Sequence, residues 1–386
     1  MTKVLFLDQD YEYGGAQKVL LKTLEKLDRN KFEPCLITGF KGRLYTGLDD
    51  IQKKVIGIPE TPFKLGRESI RVKNLLFAGF FSLVFLFRLI IEIKKSGPKL
   101  IYTNTVEMHL LGSLAGFISS TPVIWRVHDI MDSEAGFNNL SIKTIRFFSG
   151  LGKITALPVS GAVEESMIES SMKTKEIIKL YNGVEIDSNA RGKSESKEPG
   201  ITLGWMGRVT EMKNPEMFIR AALKILDKPG YPPLRFLIAG EALPEEAELL
   251  EKLKLLAGES KEIIFEGYVE NTDKWLRQLD IFVHTSYIAD SLPTSVMEAM
   301  SAGLAVIAAD TGGVKEIINN RGCGIIYGPY DQDALEGAIL SLLDNAKKRK
   351  ELAKEGRQHI KRKFSEEIYM EKFQAILSSS LEQIKK

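Results

Sequence analysis

Short apolar runs alternate with helical patterns along all 386 residues of this chain, and this alternation limits the possible folds more than any other feature. The runs are nearly continuous in branched and aromatic residues, which is typical of parallel strands buried on both faces. Helical periodicity between the runs supplies the covering layers, so the sequence predicts an α/β fold of doubly wound parallel sheets. The predicted strands are 3–7, 34–38, 100–103, 123–127, 155–159 and 177–181, followed by 201–206, 234–239, 262–265, 280–284, 304–308 and 324–327.

The length of the chain indicates two domains. Its 386 residues exceed the roughly 250–300 at which one hydrophobic core usually divides. The segment 187–200 is polar and lacks periodicity, so it is interpreted as an interdomain linker between domains at 1–186 and 201–364. Ligands of doubly wound folds bind at the carboxyl ends of strands, and two such domains facing each other are expected to form a central cleft.

Charge and cysteine content exclude several classes of protein. A net charge of +2 gives no general affinity for polyanions such as nucleic acid. The two cysteines, Cys35 and Cys323, have neither metal-binding nor redox spacing. Because an apolar strand pattern begins at Lys3, we expect no signal peptide and a cytoplasmic protein.

The stretch Ala289–Gly313 carries two carboxylates, Asp290 and Glu298, separated by seven residues. We interpret Glu298 as opening a helix that stops at Gly303, followed by an apolar strand and a pair of glycines. Acids at a helix start are favoured when they bind a polyol or face cations, and the helix start itself attracts phosphate. This stretch therefore predicts a site for a sugar attached to a diphosphate.

Two cations follow the predicted strand 201–206. Arg208 and Lys213 lie in the loop before the next helix, at a strand's carboxyl end. Arginine binds phosphate oxygens with two parallel hydrogen bonds and lysine acts as a point charge, so both suit a pyrophosphate. Two solvated loop charges are the alternative if this segment is taken alone.

Two further candidates follow predicted strands near the N-terminus. Gly14 and Gly15 come between the first strand and a helix, where backbone N–H groups can approach a phosphate, although a tight turn would also need glycine. His128 directly follows the strand 123–127, where ligand groups gather. Of the four histidines, His128 is the one we expect to be functional.

Together these features resemble the retaining glycosyltransferases of family 4, which have the GT-B fold of two doubly wound, Rossmann-like domains. The resemblance covers nearly the whole chain. Its most specific part is the pair of acids with the following glycines, Asp290 to Gly313. The other similar segments are 204–222, 181–187, 265–269, Gly14-Gly15 and His128.

The resemblance implies a hexosyltransferase (EC 2.4 class) that acts in polysaccharide biosynthesis. It would move a sugar from a nucleoside diphosphate to a hydroxyl of a glycan or lipid-linked acceptor, with retention and without a metal or other cofactor. The domain 1–186 would bind the acceptor and the domain 201–364 the donor nucleotide sugar. The C-terminal helix 365–386 would pack back on the first domain.

The resemblance also assigns roles to residues. Arg208 and Lys213 would hold the diphosphate and stabilise charge on the leaving nucleotide. Glu298 would accept hydrogen bonds from the ribose, and Asp290 would bind hydroxyls of the donor sugar. The implied catalytic residues are His128, Asp290, Arg208 and Lys213, and the implied donor-binding residues are Gly15, Arg208, Lys213, Val269, Asp290, Leu292, Thr294, Ser295 and Glu298.

Two departures from the family pattern keep alternatives open. Asp290 stands where the family usually has glutamate, and Pro293 lacks the N–H that could face a phosphate. A non-catalytic relative that binds nucleotide sugars, or a nucleotide-sugar epimerase on a similar scaffold, are the alternatives. Two D-x-D matches, at 8–10 and 331–333, resemble a metal-binding pattern of another transferase class, and we interpret both as turn or cap chemistry.

The segment Leu75–Ile93 is almost wholly apolar but is interrupted by Arg88 and Glu92. One interpretation is a buried helix of the first domain, and the other is a helix that lies on a membrane surface. Basic residues outnumber acidic ones over 41–99, which favours contact with anionic lipid. The second interpretation places a peripheral enzyme on the inner face of the membrane.

Overall fold

The computed structural model describes residues 1–11, 14–57, 72–133, 136–186, 200–318 and 322–385. The chain divides into two compact units, one of Met1–Gly183 with Glu367–Lys386 and the other of Val184–Glu366. Of the predicted linker 187–200, all but Gly200 lies outside the described residues.

The first unit is built on a parallel sheet with the strand order β3-β2-β1-β4-β5-β6-β7. The order reverses between β1 and β4, which is the point where doubly wound folds bind ligands. The sheet centre is deeply buried because β1 has a neighbour on each side, so that Leu5 lies between Cys35 and Ile101. The strands are β1 Thr2–Asp8, β2 Phe32–Thr38, β3 Gln52–Val55, β4 Leu100–Thr103, β5 Val123–Val127, β6 Ile154–Pro158 and β7 Glu176–Ile177.

Helices alternate with these strands, as the sequence predicts. Helix starts are fixed by side-chain caps where the sequence supplies them: Asn138 accepts from the Ser141 N–H, and Ser160 accepts from the Val163 N–H. The helices are α1 Gly15–Lys26, α2 Arg43–Thr46, α3 Val72–Ser96, α4 Val106–Ser119, α5 Asn139–Ser149 and α6 Gly161–Glu169.

The second unit has a parallel sheet with the order β10-β9-β8-β11-β12-β13. Its core packs around Trp205, Phe218 and Phe236. The strands are β8 Ile201–Met206, β9 Leu234–Ala239, β10 Ile263–Gly267, β11 Ile281–His284, β12 Ala305–Ala309 and β13 Ile325–Tyr327. The helices are α7 Pro215–Leu226, α8 Ala247–Ala257, α9 Thr272–Leu276, α10 Thr294–Ser301, α11 Val314–Ile317, α12 Gln332–Leu343 and α13 Ala346–Lys363, with 3₁₀ turns at Glu211–Lys213 and Pro244–Glu246.

The last helix, α14 Glu366–Lys385, packs into the core of the first unit. Phe373 and Leu377 are fully buried there, and the Phe373 ring meets Tyr102 edge-on at 5.6 Å. The Tyr369 and Thr23 hydroxyls lie 2.8 Å apart. The C-terminal helix therefore belongs to the first unit.

Helix α3 has two different faces along its described side chains, 83–96. Phe85, Leu89 and Ile93 are buried against the unit, whereas Leu83 and Phe87 are about two-thirds exposed, at 64% and 67%. The helix is thus neither fully buried nor detached from the domain. Within the described part of the chain, no helix combines the length and apolarity that crossing a membrane requires.

Candidate active site

All strands of the second sheet are parallel, so the loops after them gather at one edge. The predicted donor-site residues of this unit all follow strand ends at that edge. Arg208 and Lys213 follow β8, Val269 follows β10, and Asp290, Leu292, Thr294, Ser295 and Glu298 follow β11.

The loop that carries Lys213 is fixed by hydrogen bonds to the end of β11. Trp205 Nε1 donates to Thr285 Oγ1 at 2.8 Å, and the Thr285 hydroxyl faces the carbonyl oxygens of Lys213 and Asn214, each at 2.8 Å. Asn214 has φ +48° and starts α7 by accepting the Met217 N–H at 3.3 Å. Lys213 therefore lies on a loop whose backbone is held from both sides.

Lys213 and Asp290 form an ion pair at this edge. The Asp290 carboxylate also faces His284 Nε2 at 3.4 Å. Although burial alone would raise the pKa of Asp290, the Lys213 charge and the hydrogen bonds from His284 and Lys213 hold it below its usual range. Burial lowers the pKa of His284, so the imidazole is neutral and donates Nε2–H to the carboxylate. Asp290 is thus an ionised group that can only accept hydrogen bonds.

The glycine pair after β12 holds the Asp290 loop through backbone contact. The Gly313 N–H donates to the Asp290 carbonyl at 2.8 Å. A Cβ on Gly312 would lie 2.1 Å from the same carbonyl oxygen, and one on Gly313 would lie 2.2 Å from the Ser291 carbonyl oxygen. Gly312 also has φ +50°, a conformation that favours glycine. Both glycines are therefore required for the close approach that positions Asp290.

Helix α10 begins earlier than the sequence pattern indicated. The prediction that Glu298 opens this helix is wrong: the helix starts at Thr294, after Pro293, and Glu298 lies in its second turn. Thr294 and Ser295 are the first helical residues, so their N–H groups have no acceptor within the helix and can bind an anion. Leu292 is buried and anchors the loop before the helix.

The remaining donor-site candidates differ in exposure. Arg208 is exposed two residues beyond the end of β8, whereas Val269 and Glu298 are half-buried. Arg208 therefore reaches solvent from the loop that carries Lys213, and Glu298 reaches the surface from the side of α10.

The first unit has its own group of polar residues at the carboxyl edge of its sheet. Asp8 ends β1 and is fully buried, and it accepts hydrogen bonds from Asn104 Nδ2 at 2.7 Å and from the Asp10 N–H at 2.6 Å. Gln17 Nε2 on α1 lies 3.4 Å from the same carboxylate. Burial raises the pKa of Asp8 to about 6, against the opposing effect of these hydrogen bonds.

His128 joins this group through Asn104, whose Oδ1 lies 3.0 Å from His128 Nε2. Asn104 has its amide nitrogen directed at Asp8, so its oxygen faces the histidine and accepts the Nε2–H. Burial lowers the pKa of His128 well below its usual value, and the charge of Arg126 lowers it further. His128 is therefore neutral, partly exposed, and carries an unprotonated Nδ1.

Gly15 is the first residue of α1 and is exposed. Gly14 precedes it as the N-cap, and its N–H donates to Gln17 Oε1 at 3.2 Å. The N–H groups of the first turn are thus available at the edge that holds Asp8 and His128. Gly15 and His128 belong to the first unit, and the other predicted site residues belong to the second.

One aspartate of each D-x-D match caps a helix, which confirms the interpretation as turn or cap chemistry. Asp10 accepts the Leu44 and Tyr45 N–H groups at 2.9 and 2.8 Å and so starts α2. Asp331 accepts the Ala334 N–H at 2.9 Å and starts α12. The carboxylates of Asp8, Asp10 and Asp331 are all occupied by donors of the protein itself.

Sequence reasoning gave no site role to three residues of these groups: Asp8, Asn104 and His284. Each ends a strand or directly follows one, at β1, β4 and β11 respectively. The same kind of position, at the end of a strand, is the reason why His128 was predicted to be functional. The partners they bind lie on other strands, so their pairing could not be seen in the sequence.

Residues 187–359 match the family model described as glycosyl transferases group 1. The match spans less than half of the chain, and over this segment the chain is similar to the group 1 glycosyltransferases. The UDP-Gal:alpha-D-GlcNAc-diphosphoundecaprenol alpha-1,3-galactosyltransferase of Escherichia coli is 24% identical over 349 residues, or 86% of this chain and 85% of the relative. Two other matches are partial and span 54% of one relative's length and 40% of another's.

A second relative matches almost the full length of this chain. It is the GalNAc-alpha-(1->4)-GalNAc-alpha-(1->3)-diNAcBac-PP-undecaprenol alpha-1,4-N-acetyl-D-galactosaminyltransferase of Campylobacter jejuni, 25% identical over 94% of both chains. Among solved structures, Anabaena Alr3699/HepE in complex with UDP and glucose superposes with a TM-score of 0.80 at 20% identity, over 98% of this chain and 100% of that one. These matches confirm the predicted fold class and the prediction of a hexosyltransferase.

Proposed function

We propose that this glycosyltransferase moves a hexose-type sugar from a nucleoside diphosphate to a hydroxyl of a lipid-linked saccharide. The transfer retains the configuration of the anomeric carbon and uses protein cations in place of a metal. The C-terminal unit binds the donor and the N-terminal unit binds the acceptor.

The observation that carries this proposal is the pairing of Lys213 with Asp290. It puts one cation and one ionised acid side by side at the carboxyl edge of a parallel sheet. A sugar diphosphate presents hydroxyls next to phosphate oxygens. The hydroxyls need a hydrogen-bond acceptor, and the phosphate oxygens need a cation at a neighbouring position. Asp290 takes the sugar hydroxyls because its depressed pKa keeps it ionised.

The leaving group determines what the other residues do. When the bond between the sugar C1 and the diphosphate oxygen breaks, negative charge grows on the departing phosphate. Lys213 and Arg208 stabilise that charge, together with the first N–H groups of α10 at Thr294 and Ser295. Leu292 and Val269 shape the pocket through their backbones, and Glu298 binds the ribose.

In the first unit, His128 contributes a fixed imidazole. Its Nε2–H is held by Asn104, so its Nδ1 is free of a proton and can accept a hydrogen bond from a sugar hydroxyl. Gly15 brings backbone N–H groups at the start of α1 to the same edge.

The choice of substrates is supported by what the relatives act on. The E. coli relative is named for UDP-Gal and a diphosphoundecaprenol-linked acceptor, and the C. jejuni relative for a PP-undecaprenol-linked glycan. Neither a non-catalytic binding relative nor an epimerase is favoured by these matches.

The test is a transfer assay on the full chain. Each common nucleoside diphosphate sugar is first screened by thermal shift, where a ligand at 100 times its Kd should stabilise the protein by about 2.7 kcal/mol. Donors that bind are then incubated with an undecaprenyl-diphosphate saccharide, with and without EDTA, and the anomeric configuration of the product is read by NMR. Retained configuration and full activity in EDTA are expected.

Three outcomes contradict separate parts of the proposal. A product with inverted anomeric configuration contradicts retention. Activity that is lost in EDTA and restored by a divalent cation contradicts the proposal that protein cations act in place of a metal. Donor binding without turnover on any saccharide acceptor supports the non-catalytic relative.

A further inference from the structure

Large apolar side chains are exposed on three successive helices of the first unit. They are Leu83 and Phe87 on α3, Phe117 and Ile118 on α4, and Leu140 and Phe147 on α5, and each is at least half exposed. We call these six residues the α3–α5 face. Among the described residues of the second unit, the exposed large apolar side chains are the scattered Leu255, Tyr268 and Tyr330.

The three helices form one outer layer. Helix α4 packs against α3 on one side and α5 on the other. The ends of α4 and α5 converge, since Phe117 lies next to Gly152, just beyond α5. Leu111 and Leu114 on α4 are partly exposed between the two outer helices, so the outward stripe of the central helix is apolar as well.

These apolar groups are not needed for the core. The inner faces of the same helices supply the buried residues, such as Phe85 and Leu89 on α3 and Ile145 on α5. A soluble surface normally carries single apolar residues rather than several on adjacent helices. Six such residues on three helices that pack against one another mark a surface that is covered by something else.

The charges on the same helices indicate what covers it. Basic residues are exposed on the two outer helices: Arg88, Lys94, Lys95, Lys143 and Arg146. The acidic residues of the three helices are Glu92 and Glu107, and Glu92 is paired with Lys54 at 2.5 Å. A surface of aromatic and aliphatic side chains bordered by lysine and arginine matches the interface of an anionic bilayer.

We propose that the α3–α5 face docks the enzyme on an anionic lipid bilayer. The apolar side chains enter the boundary between headgroups and acyl chains, and the basic residues contact the headgroup phosphates. The benefit of docking rests on the proposed function, because a lipid-linked acceptor is held in the same bilayer.

The test is vesicle co-sedimentation of the full chain, with neutral phosphatidylcholine vesicles and with vesicles containing phosphatidylglycerol. Binding is expected to the anionic vesicles at low salt and to weaken as salt rises. Leu83→Ser with Phe87→Ser, and separately Lys94→Glu with Lys95→Glu, should each reduce the bound fraction at least tenfold. The matched controls are Leu255→Ser, an 81% exposed leucine on α8, and Lys347→Glu with Lys350→Glu on α13, and both should bind as the unaltered chain does.

Transfer to a short, water-soluble acceptor analogue separates docking from catalysis. Both face variants should keep that activity while losing vesicle binding, and thermal melting checks that they fold. The proposal is overturned by absence of binding to anionic vesicles at low salt, or by folded face variants that bind normally. A dimer in sedimentation that Leu83→Ser with Phe87→Ser dissociates would overturn it too, because a second copy would then be what covers the face.

Discussion

Asn104 connects His128 to a buried carboxylate. Its Oδ1 lies 3.0 Å from His128 Nε2, and its Nδ2 donates to Asp8 at 2.7 Å. The carboxylate fixes the orientation of the amide, and the amide then fixes which imidazole nitrogen carries the proton. His128 is therefore held in one tautomer by a residue it does not contact.

The first prediction concerns Asn104→Ala. Loss of the amide leaves the tautomer of His128 free, so kcat/KM for transfer should fall at least tenfold, or about 1.4 kcal/mol of transition-state stabilisation. The ¹⁵N shifts of His128 should change from one protonated and one unprotonated nitrogen toward averaged values. Ser113→Ala is the control, because it removes a buried hydrogen bond to Trp125 in the same unit. Unchanged ¹⁵N shifts in Asn104→Ala would contradict the role of Asn104.

The second prediction concerns pH. Burial raises the pKa of Asp8 from 3.8 to about 6, so a protonated Asp8 can donate, and the Asn104 amide can then turn over and reverse the His128 tautomer. Activity should therefore fall as pH drops through about 6. Asp8→Asn should remove that step and resemble the low-pH form at every pH. A wild-type profile with no step near this pH would rule out the coupling.

The free energy of unfolding should rise over the pH range in which activity falls. The native state holds the Asp8 proton more tightly than the unfolded chain does, so the free energy of unfolding rises as pH falls from about 6 toward 3.8. The pKa difference corresponds to about 3 kcal/mol. Urea titrations at several pH values, with Asp8→Asn as the reference, should show this contribution in the unaltered chain and not in the variant.

Much of the fold could be predicted because its strands are apolar and short. The strand at Gln52–Val55 was missed, since QKKV alternates between exposed and partly buried positions at the edge of the sheet. Polar edge strands protect a sheet against aggregation, and their sequence resembles a loop. The predicted strand 177–181 is reduced to Glu176–Ile177, where the sheet ends.

Candidate site residues could be predicted from the sequence where their position relative to a predicted strand or helix was itself informative. Lys213 and His128 were predicted as site residues because they follow strand ends, and Asp290 because of its spacing from Glu298. Their partners His284 and Asn104 were not found, since those contacts depend on the order of strands in a sheet. The start of α10 was misplaced because Pro293, which precedes the helix, was considered only for its missing N–H.

The third prediction concerns the donor site. Lys213→Ala and Glu298→Ala should each lower kcat/KM at least tenfold, because the first removes the cation proposed to hold the diphosphate and the second removes the proposed ribose contact. Lys224→Ala is the matched control, because Lys224 forms an ion pair with Glu336 at 2.9 Å between α7 and α12. Near-normal turnover in Lys213→Ala would contradict the assignment of the diphosphate site.

The Lys213 variant should also change the titration of Asp290. Burial raises the pKa of Asp290, and the Lys213 charge opposes that effect. Without Lys213, the pKa of Asp290 should therefore rise. Carboxyl ¹³C shifts followed by NMR would measure the change. An unchanged Asp290 titration would mean that the ion pair does not set its charge.

The last prediction concerns the backbone contact behind Asp290. Gly312→Ala places a Cβ 2.1 Å from the Asp290 carbonyl oxygen at φ +50°, so the loop must move. We expect a loss of stability of about 1–3 kcal/mol and at least a tenfold loss of kcat/KM, since Asp290 shifts with its backbone. Gly337→Ala is the control, because Gly337 lies within α12 and a Cβ there meets nothing within 4 Å. That variant should keep full activity and gain up to about 1 kcal/mol from helix propensity. Thermal melts and donor titrations compare the Gly312→Ala and Gly337→Ala variants. A Gly312→Ala protein with normal donor affinity and turnover would show that Gly312 does not position Asp290.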